Sequence, residues 1–355
     1  MSPVRTATLE PLRSSVSVHA ATRCCLLLAA FALLAGNALS QERVPLKLVR
    51  TIRLPGIEGD FDHFALDLRG HRLFLAEEDH HTVEVFDSRT FKSLRSIAGF
   101  ARPHWLLYLP ESNQLFVTDG PAGAVKIFKA DSYRLVKTIP LGPGADCIAY
   151  DPATRYLYVT YGGRDARAYS SSIAIISTAS GQHLGDISLP AVRLEGMAIG
   201  AGRLFVNIAS REEIAVIDLQ TRKLVATWSL ALEGDANVPM RLDKAHHRLL
   251  IATRTPSKFI VVDANSGRVV SNLETGMDAD DIFYDPSRKR VYVSCGEGFV
   301  EVFQQKDPDH YQSIARIPTG SRARDSFFSP ELDLYFVPVP GPAGEDGKVL
   351  VYRAQ

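Results

Sequence analysis

The chain has 355 residues, of which 46% are hydrophobic and 23% charged, and its 40 basic and 40 acidic residues give a formal net charge of zero. This is ordinary globular composition with ample material for a hydrophobic core. The balanced charge excludes the overall basic surface expected of a protein that binds nucleic acid or anionic membranes over its whole face, and it leaves room only for a local patch.

The first predicted element is a leader segment. Arg13 and Arg23 precede the uncharged apolar run CCLLLAAFALLA at residues 24–35, and small residues follow it. About twelve apolar residues are too few to span a bilayer but fit the hydrophobic region of a signal peptide. We therefore expect residues 1–40 to be a signal peptide whose cleavage leaves residues 41–355 in the periplasm or outside the cell, with no membrane segment. The alternative is a buried helix or a membrane anchor.

A short strand-like phrase then recurs seven times along the chain, reading RLFL, QLFV, YLYV, RLFV, RLLI, RVYV and DLYF. Its central residues are Phe74, Phe116, Tyr158, Phe205, Leu250, Tyr292 and Tyr335. Successive copies are 42 to 47 residues apart. A period in the forties built from strands is typical of a β-propeller with one four-stranded blade per copy.

The two ends of the repeat region predict how the ring closes. The seventh copy is followed by the strand KVLVYR at residues 348–353, and no outer strand comes after it. Conversely, LKLVRTIRL at residues 46–54 is an outer-strand pattern with no blade before it. Pairing these segments completes the last blade and covers two sheet edges. We predict an all-β fold in which residues 41–355 form one seven-bladed propeller of four-stranded antiparallel blades, closed by the N-terminal strand.

Only two cysteines remain after removal of the leader, Cys147 and Cys295. They belong to the third and sixth blades, which lie far apart on a seven-bladed ring. A disulfide between them would need Cα atoms less than about 7 Å apart. We therefore expect two free, buried thiols.

The repeat motifs resemble those of the YVTN-repeat, or YncE-like, propeller family. The phrase takes the form YVT at Tyr158–Thr160, an Asp-Pro turn stands at Asp151-Pro152, and an IDxxT turn includes Asp218–Thr221. The resemblance covers nearly all of residues 41–355 and implies the fold. It implies no single activity, because these are packing and turn residues. Members of the family are exported bacterial proteins, some resemble single-stranded-DNA binders, and related propellers include lactonases, lyases and surface-layer components.

Functional residues are expected at one mouth of the central channel, where the innermost strands begin. About twelve residues before each central residue of the phrase the blades differ, and the residues there are Asp62, His104, Asp146, Glu195, Val238, Asp280 and Arg324. Their neighbours add His63, Asp281 and Asp325. Crowded carboxylates must bind a cation, share protons or pair with arginine. The candidate ligand-binding residues are therefore Asp62, His104, Asp146, Glu195, Asp280, Asp281, Arg324 and Asp325.

A divalent cation is the cofactor that this ring suggests. Its candidate ligands are Asp62, His104, Asp146, Glu195 and Asp280. Such a metal could polarise a carbonyl or activate water, with His63 or His104 as the candidate general base. The alternative is a wet channel whose polar residues are satisfied by water.

Basic and aromatic residues are predicted on the same face. Its loops carry Arg102, Arg164, Arg167, Arg211, Arg254, Arg322, Arg324 and Lys258, and the aromatic residues near its rim are Trp105, Tyr161 and Tyr169. A fork of arginines suits a small anionic molecule, whereas structural ion pairs with the carboxylates would leave no binding role. The pair His80-His81 is expected at this mouth and the pair His246-His247 at the opposite face, in solvent.

Three functions follow as hypotheses. The first is a binding module for a small anionic ligand, a metal or a protein partner at the channel mouth. The second is a metal-dependent hydrolase or lyase acting on a lactone-like substrate. The third, single-stranded-DNA binding, comes from the resemblance alone, and we do not expect nucleic acid as the partner. The sequence contains no GxSxG, HExxH or P-loop motif in a suitable context, so whether the chain is an enzyme stays open. We expect a monomer.

Overall fold

The computed structural model describes residues 44–342 and 344–355, together with the isolated positions 1, 3, 6 and 8. All of the described strands lie in one compact unit, Pro45–Gln355. The apolar run and cleavage position of the predicted signal peptide lie outside the described residues. Within the described part of the chain, we find no helix with the length and apolar character needed to cross a membrane.

The unit Pro45–Gln355 contains seven four-stranded antiparallel sheets, and the strands are numbered in chain order. Blade 1 consists of β2 (Phe61–Asp67), β3 (Arg72–Glu77), β4 (Thr82–Asp87) and β5 (Ser93–Ile97). Blade 2 consists of β6 (Pro103–Leu109), β7 (Gln114–Asp119), β8 (Ala124–Lys129) and β9 (Leu135–Pro140). Blade 3 consists of β10 (Ile148–Asp151), β11 (Tyr156–Gly162), β12 (Ser171–Ser177) and β13 (Gln182–Leu189).

The next three blades repeat this order. Blade 4 consists of β14 (Met197–Gly200), β15 (Arg203–Ile208), β16 (Glu213–Asp218) and β17 (Lys223–Ser229). Blade 5 consists of β18 (Met240–Asp243), β19 (Arg248–Arg254), β20 (Ser257–Asp263) and β21 (Val269–Glu274). Blade 6 consists of β22 (Ala279–Asp285), β23 (Arg290–Cys295), β24 (Phe299–Asp307) and β25 (His310–Pro318).

Blade 7 joins the two ends of the propeller. It consists of β26 (Phe327–Ser329), β27 (Leu334–Val339), β28 (Gly347–Ala354) and β1 (Leu46–Leu54). β1 runs antiparallel to β28, with Leu46 opposite Ala354 and Leu54 opposite Gly347. The predicted seven-bladed propeller, including its closure by the N-terminal strand, is confirmed.

The repeated phrase forms the second strand of every blade and packs against both neighbouring blades. In blade 1, Leu73 and Leu75 join a hydrophobic cluster with residues of blade 7. Phe74 points the other way and joins a cluster with residues of blade 2. This alternation is the two-residue period of a strand. Both faces of the strand are buried, so a hydrophobic triplet is required in each blade.

The turn motifs are explained by hydrogen bonds from backbone N–H groups to aspartate. Asp218 Oδ1 accepts from the amide of Thr221 at 2.7 Å, and Asp285 Oδ1 accepts from the amide of Ser287 at 2.9 Å. An aspartate that accepts hydrogen bonds from the next residues stabilises a tight turn. These aspartates therefore position strands rather than ligands.

The two described cysteines are unpaired and buried, as predicted. Cys147 directly precedes β10 in blade 3, and Cys295 ends β23 in blade 6. Burial raises the pKa of the Cys295 thiol to about 11. Burial also raises the pKa of the Cys147 thiol well above its usual value, so both thiols are protonated at neutral pH.

Candidate functional site at the channel mouth

The first strands of the blades begin around a cavity of about 500 Å³ at one end of the channel. Its wall contains the full predicted ring, namely Asp62, His104, Asp146, Glu195, Val238, Asp280 and Arg324, and also His63, Asp281 and Asp325. The residues about twelve positions before the centre of each repeated phrase therefore lie together at one end of the channel. They do so because the innermost strand occupies the same position in every blade.

His104 lies on the blade 2 side of the cavity, between two carboxylates. Its Nδ1 atom is 2.8 Å from Asp62 Oδ2 and 2.8 Å from Glu78 Oε1. Burial opposes the charged imidazolium, but the hydrogen bonds to Asp62 and Glu78 raise the pKa of His104 well above its usual range. His104 Nε2 makes no hydrogen bond to any described residue. The ring is therefore oriented through Nδ1 and leaves Nε2 for another contact.

Glu78 is a cavity residue that the ring pattern missed, since it comes from the loop between β3 and β4. It accepts a hydrogen bond from Arg102 at 2.5 Å. Burial disfavours its carboxylate, yet His104 and Arg102 lower the pKa of Glu78 to about 2. Glu78 belongs to the run EEDHH before β4. That run of acidic residues was the available signal, because loops between second and third strands reach the same mouth.

His63 is fixed through both ring nitrogens. Nε2 lies 3.2 Å from Asp62 Oδ1, and Nδ1 lies 3.2 Å from Asp281 Oδ2. Burial opposes the imidazolium, but Asp281 and Asp62 raise the pKa of His63 to about 10. The ring is a buried cation without a free nitrogen. This geometry does not suit the general-base role considered from the sequence.

Blades 3 and 4 contribute Asp146, Cys147 and Glu195 to the cavity wall, and ligand atoms of these three side chains lie within 4.8 Å of one another. Arg193 donates a hydrogen bond from Nε to Glu195 Oε1 at 2.5 Å. Burial, together with the charge of Asp146, raises the pKa of Glu195 to about 7. Arg193 was absent from the predicted arginines, although it stands two residues before a predicted ring position.

Asp280 is neutralised by two arginines. Arg254 lies 3.0 Å from its Oδ2 atom, and Arg324 Nε lies 2.9 Å from the same oxygen. The nearby Asp325 is deeply buried, and burial together with the charge of Asp280 raises the pKa of Asp325 well above its usual range. At this side of the cavity, acidic residues therefore pair with arginine or hold a proton.

The five candidate metal ligands do not share one point among the described residues. Groups of three with ligand atoms within 4.8 Å of one another are Asp62 with Glu78 and His104, Asp62 with His63 and Asp325, and Asp146 with Cys147 and Glu195. The ring is thus split into separate small groups. Any one of them offers three ligands, which is fewer than the set predicted from the sequence.

Arg241 was not predicted, and it differs from the other arginines of the cavity. Its guanidinium carbon lies 4.4 Å from the centre of the Phe283 ring, and its NH2 atom is 3.9 Å from Asp281 Oδ1. Within the described part of the chain its side chain makes no hydrogen bond. Burial lowers the pKa of Arg241, although it stays charged. Because it lies on β18, only three residues after Val238, the alternation of that strand was the available signal.

The remaining predicted arginines have mixed positions. Arg102, Arg164 and Arg254 line the cavity together with Arg324, whereas Arg167, Arg211, Arg322 and Lys258 are not part of its wall. Arg211 donates to the carbonyl oxygen of Pro190 at 3.0 Å, and Arg322 pairs with Asp60. The side chains of Arg211 and Arg322 therefore contact local partners instead of lining the cavity.

The predicted aromatic residues do not form one stacking surface. Trp105 packs against His63 with ring centroids 3.6 Å apart. The Tyr161 hydroxyl donates to Asp186 at 3.0 Å, while Tyr169 is 94% exposed. Continuous binding of single strands requires successive aromatic platforms. The arrangement offers no support for the third hypothesis.

The histidine pairs are both at the surface. His80 lines a separate shallow cavity with Asp79 and Arg322, and His81 is exposed. His246 contacts Asp243 through Nδ1 at 2.8 Å, and His247 is exposed beside it. The expectation that His246 and His247 lie in solvent is confirmed.

Comparison with known proteins gives a partial sequence match and an extensive structural one. No family model matches the chain. The uncharacterised proteins YncE of Salmonella typhi and Salmonella typhimurium are 35% and 34% identical over 106 residues, which is 29% of this chain. The match spans 30% of the length of those relatives.

Two solved structures share the fold at low sequence identity. A chain of a mitotic checkpoint complex superposes with a TM-score of 0.73 at 14% identity, covering 99% of this chain and 98% of that one. A chain of the Kuenenia stuttgartiensis hydrazine synthase gives 0.69 at 17% identity, covering 84% and 97%. At such identities the likeness concerns architecture alone. The seven-bladed fold and the partial match to YncE together support a YncE-like β-propeller.

Proposed function

We propose that this propeller is an exported, monomeric binding module that holds a small anionic ligand at the channel mouth. The observation that carries the proposal is Arg241, a guanidinium in the cavity wall without a hydrogen-bond partner among the described residues. The Arg241 side chain is 31% exposed, so its N–H groups are open to the cavity. Polar groups in such a cavity are normally hydrogen-bonded to water or to a ligand. A carboxylate or phosphate group would accept hydrogen bonds from Arg241 and balance its positive charge.

The charge of the cavity supports an anion. Six arginines and two histidines line it beside eight carboxylates. The pKa values of His63 and His104 are raised, which keeps both positive at neutral pH. The pKa values of Glu195 and Asp325 are raised as well, mainly by burial, which reduces the negative charge. The acidic ring read from the sequence is therefore largely neutralised, and cationic groups are in excess.

Three other arginines of the cavity are already paired with carboxylates, which makes them less available to a ligand. Arg102 pairs with Glu78, Arg193 with Glu195, and Arg254 with Asp280. Recruiting any of them would expose a carboxylate to the incoming anion. Arg241 has only the distant Asp281 and the face of Phe283, so it can bind an anion without breaking a hydrogen bond.

The test measures binding of inorganic phosphate and of acetate by calorimetry. We expect Arg241→Met to weaken anion binding at least about tenfold, because a hydrogen bond to a charged group contributes about 1.5–3 kcal/mol. Arg222→Met is the matched control, since Arg222 also covers an aromatic ring, that of Tyr156, but lies outside the cavity. Equal binding by both variants, or no binding by the unmodified protein, overturns the proposal.

A second candidate function is supported by one specific group, Asp62 with Glu78 and His104. Two carboxylates already meet one imidazole nitrogen there, and a divalent cation could replace the shared proton. Metal held in this way would polarise a carbonyl or activate water for a hydrolase or lyase acting on a lactone-like substrate. Elemental analysis of the purified protein tests it. Stoichiometric metal that is lost in the Asp62→Ala, His104→Ala double variant supports it. Metal-free protein whose melting temperature ignores added divalent cations overturns it.

A further inference from the structure

A second cavity, of about 580 Å³, runs along the innermost strands of blades 3, 4 and 5. It opens among the turns that join first to second strands, at Pro152, Gly202 and Lys244. The cavity at the mouth is built instead by residues that precede the first strands. The two cavities therefore approach the channel from opposite ends.

Arg241 and Met240 are the residues that line both cavities. Arg241 thus lies where the polar mouth meets the second cavity. An anion bound to Arg241 from the mouth would have its other end directed toward either cavity. The residues that line the second cavity determine which part of a ligand could bind there.

Apolar residues predominate among those that line the second cavity. Its side chains along the inner strands include Ile148, Met197, Ile199 and Leu242, with Tyr150 on β10. Apart from Arg241, its charged and amide side chains are Asp151, Lys244, His247 and Asn265, which lie in or beside the turns at its opening. This contrasts with the sixteen ionisable side chains of arginine, histidine, aspartate and glutamate around the mouth.

We propose that the ligand is an amphipathic anion, with its anionic group on Arg241 and an apolar tail in the second cavity. The inference rests on the proposed function, since it uses the same anion contact. It adds the chemical class: a carboxylate that carries an alkyl or aryl tail. The inner strands β10, β14 and β18 have four residues each and therefore extend over about 13 Å. This length accommodates a medium-length alkyl chain.

The tail should determine affinity through burial of methylene groups. Each buried methylene strengthens binding about fourfold at the usual transfer free energy. Octanoate has four more methylenes than butanoate. We therefore expect octanoate to bind on the order of a hundredfold more tightly than butanoate.

The experiment measures the dissociation constants of butanoate, octanoate and octylammonium by calorimetry for the unmodified protein and for two variants. Ile199→Gln places a polar group in the wall of the second cavity only. It should weaken octanoate binding at least about tenfold and leave butanoate binding within about twofold. Val225→Gln is the control, because Val225 is 57% exposed on the outer strand of the same blade. Unchanged butanoate binding by Ile199→Gln also shows that this variant is folded.

Each outcome separates this inference from the proposed function. Equal affinities for butanoate and octanoate, both lost in Arg241→Met, overturn the apolar tail and leave the anion site in place. Octylammonium binding as tightly as octanoate overturns the assignment of the anionic group. If neither butanoate nor octanoate binds the unmodified protein but phosphate does, the inference fails and the anion site stays in place. If phosphate and acetate fail to bind as well, both the inference and the proposed function fail.

Discussion

The imidazole of His63 packs against the indole of Trp105, with ring centroids 3.6 Å apart and planes inclined by 42°. Asp62 and Asp281 contact the two nitrogens of the same ring. The cation is thus held on its edges by carboxylates and on one face by an aromatic ring, both of which favour the charged form. His63 is therefore a structural cation in the wall of the candidate site.

His63 should make the stability of the protein fall at alkaline pH. The pKa of His63 rises from 6.5 to about 10 on folding because Asp281 and Asp62 outweigh the cost of burial. Folded protein then binds this proton more tightly than unfolded protein. The stabilising contribution is complete below about pH 6.5 and is lost as the pH approaches 10.

Urea unfolding at several pH values between 7 and 10 measures this effect. We expect the free energy of unfolding to decrease across this range and His63→Gln to flatten the decrease. A slope that is identical in the variant would contradict the assignment. His246→Gln is a suitable control, because His246 is exposed at the other face.

Glu195 should contribute a second pH dependence, at lower pH. Burial and the charge of Asp146 raise the pKa of Glu195 from 4.5 to about 7, so the folded state holds this proton more tightly. The resulting stabilisation is present below about pH 4.5 and disappears as the pH rises through 7. Asp62 acts in the same direction, with its pKa raised to about 6 mainly by burial.

The measurement is the free energy of unfolding from pH 4.5 to 7.5 for the unmodified protein and Glu195→Gln. We expect a decrease with rising pH that the variant reduces. Glu78 has the opposite effect in acid. Because its pKa is lowered to about 2 in the folded protein, its contribution to stability is lost as the pH falls from 4.5 toward 2. Stability that rises steadily from pH 5 to 7 would contradict these protonation states.

The fold was predictable because the same packing problem recurs in every blade. Each second strand is buried on both faces, so residues such as Phe74 and Tyr158 had to be large and apolar, and their spacing revealed the ring. Closure of the ring could be predicted because the outer-strand pattern of β1 precedes the first blade and therefore had to pair with the last one. Local sequence sufficed here because neighbouring blades impose nearly identical environments.

The position of the candidate site around the channel mouth could be predicted from the sequence, whereas the charges and pairing of its side chains could not. The offset of about twelve residues from the repeated phrase identified Asp62 and His104, because the innermost strands of all blades begin at the same end of the channel. It gave no information on which long side chains turn inward. Arg241 and Arg193 reach the cavity, whereas Arg211 turns to a backbone carbonyl group. The direction of each arginine side chain depends on partners that are distant in sequence. The same is true of the pairing and protonation of the carboxylates in the ring.

Secretion of the protein should remove the leader. The apolar run at residues 24–35 predicts cleavage before Gln41, which would leave β1 near the new N-terminus. Mass spectrometry of protein recovered from the periplasm or the medium should show a chain that begins at Gln41. Recovery of the uncleaved chain from the membrane fraction would instead favour the anchor alternative.

Closure of the ring by β1 should account for much of the stability of the propeller. Leu54 is buried, with 2% of its surface exposed, whereas Leu48 on the same strand is 49% exposed. Leu54→Ala should lower the free energy of unfolding by about 2–5 kcal/mol, because it leaves a cavity between blades. Leu48→Ala should change it by no more than about 0.5 kcal/mol. Since each blade is stabilised by its neighbours, the loss at Leu54 should appear as one cooperative transition at lower denaturant concentration. Similar effects of the two substitutions in urea unfolding would show that pairing of β1 with β28 does not hold the ring together.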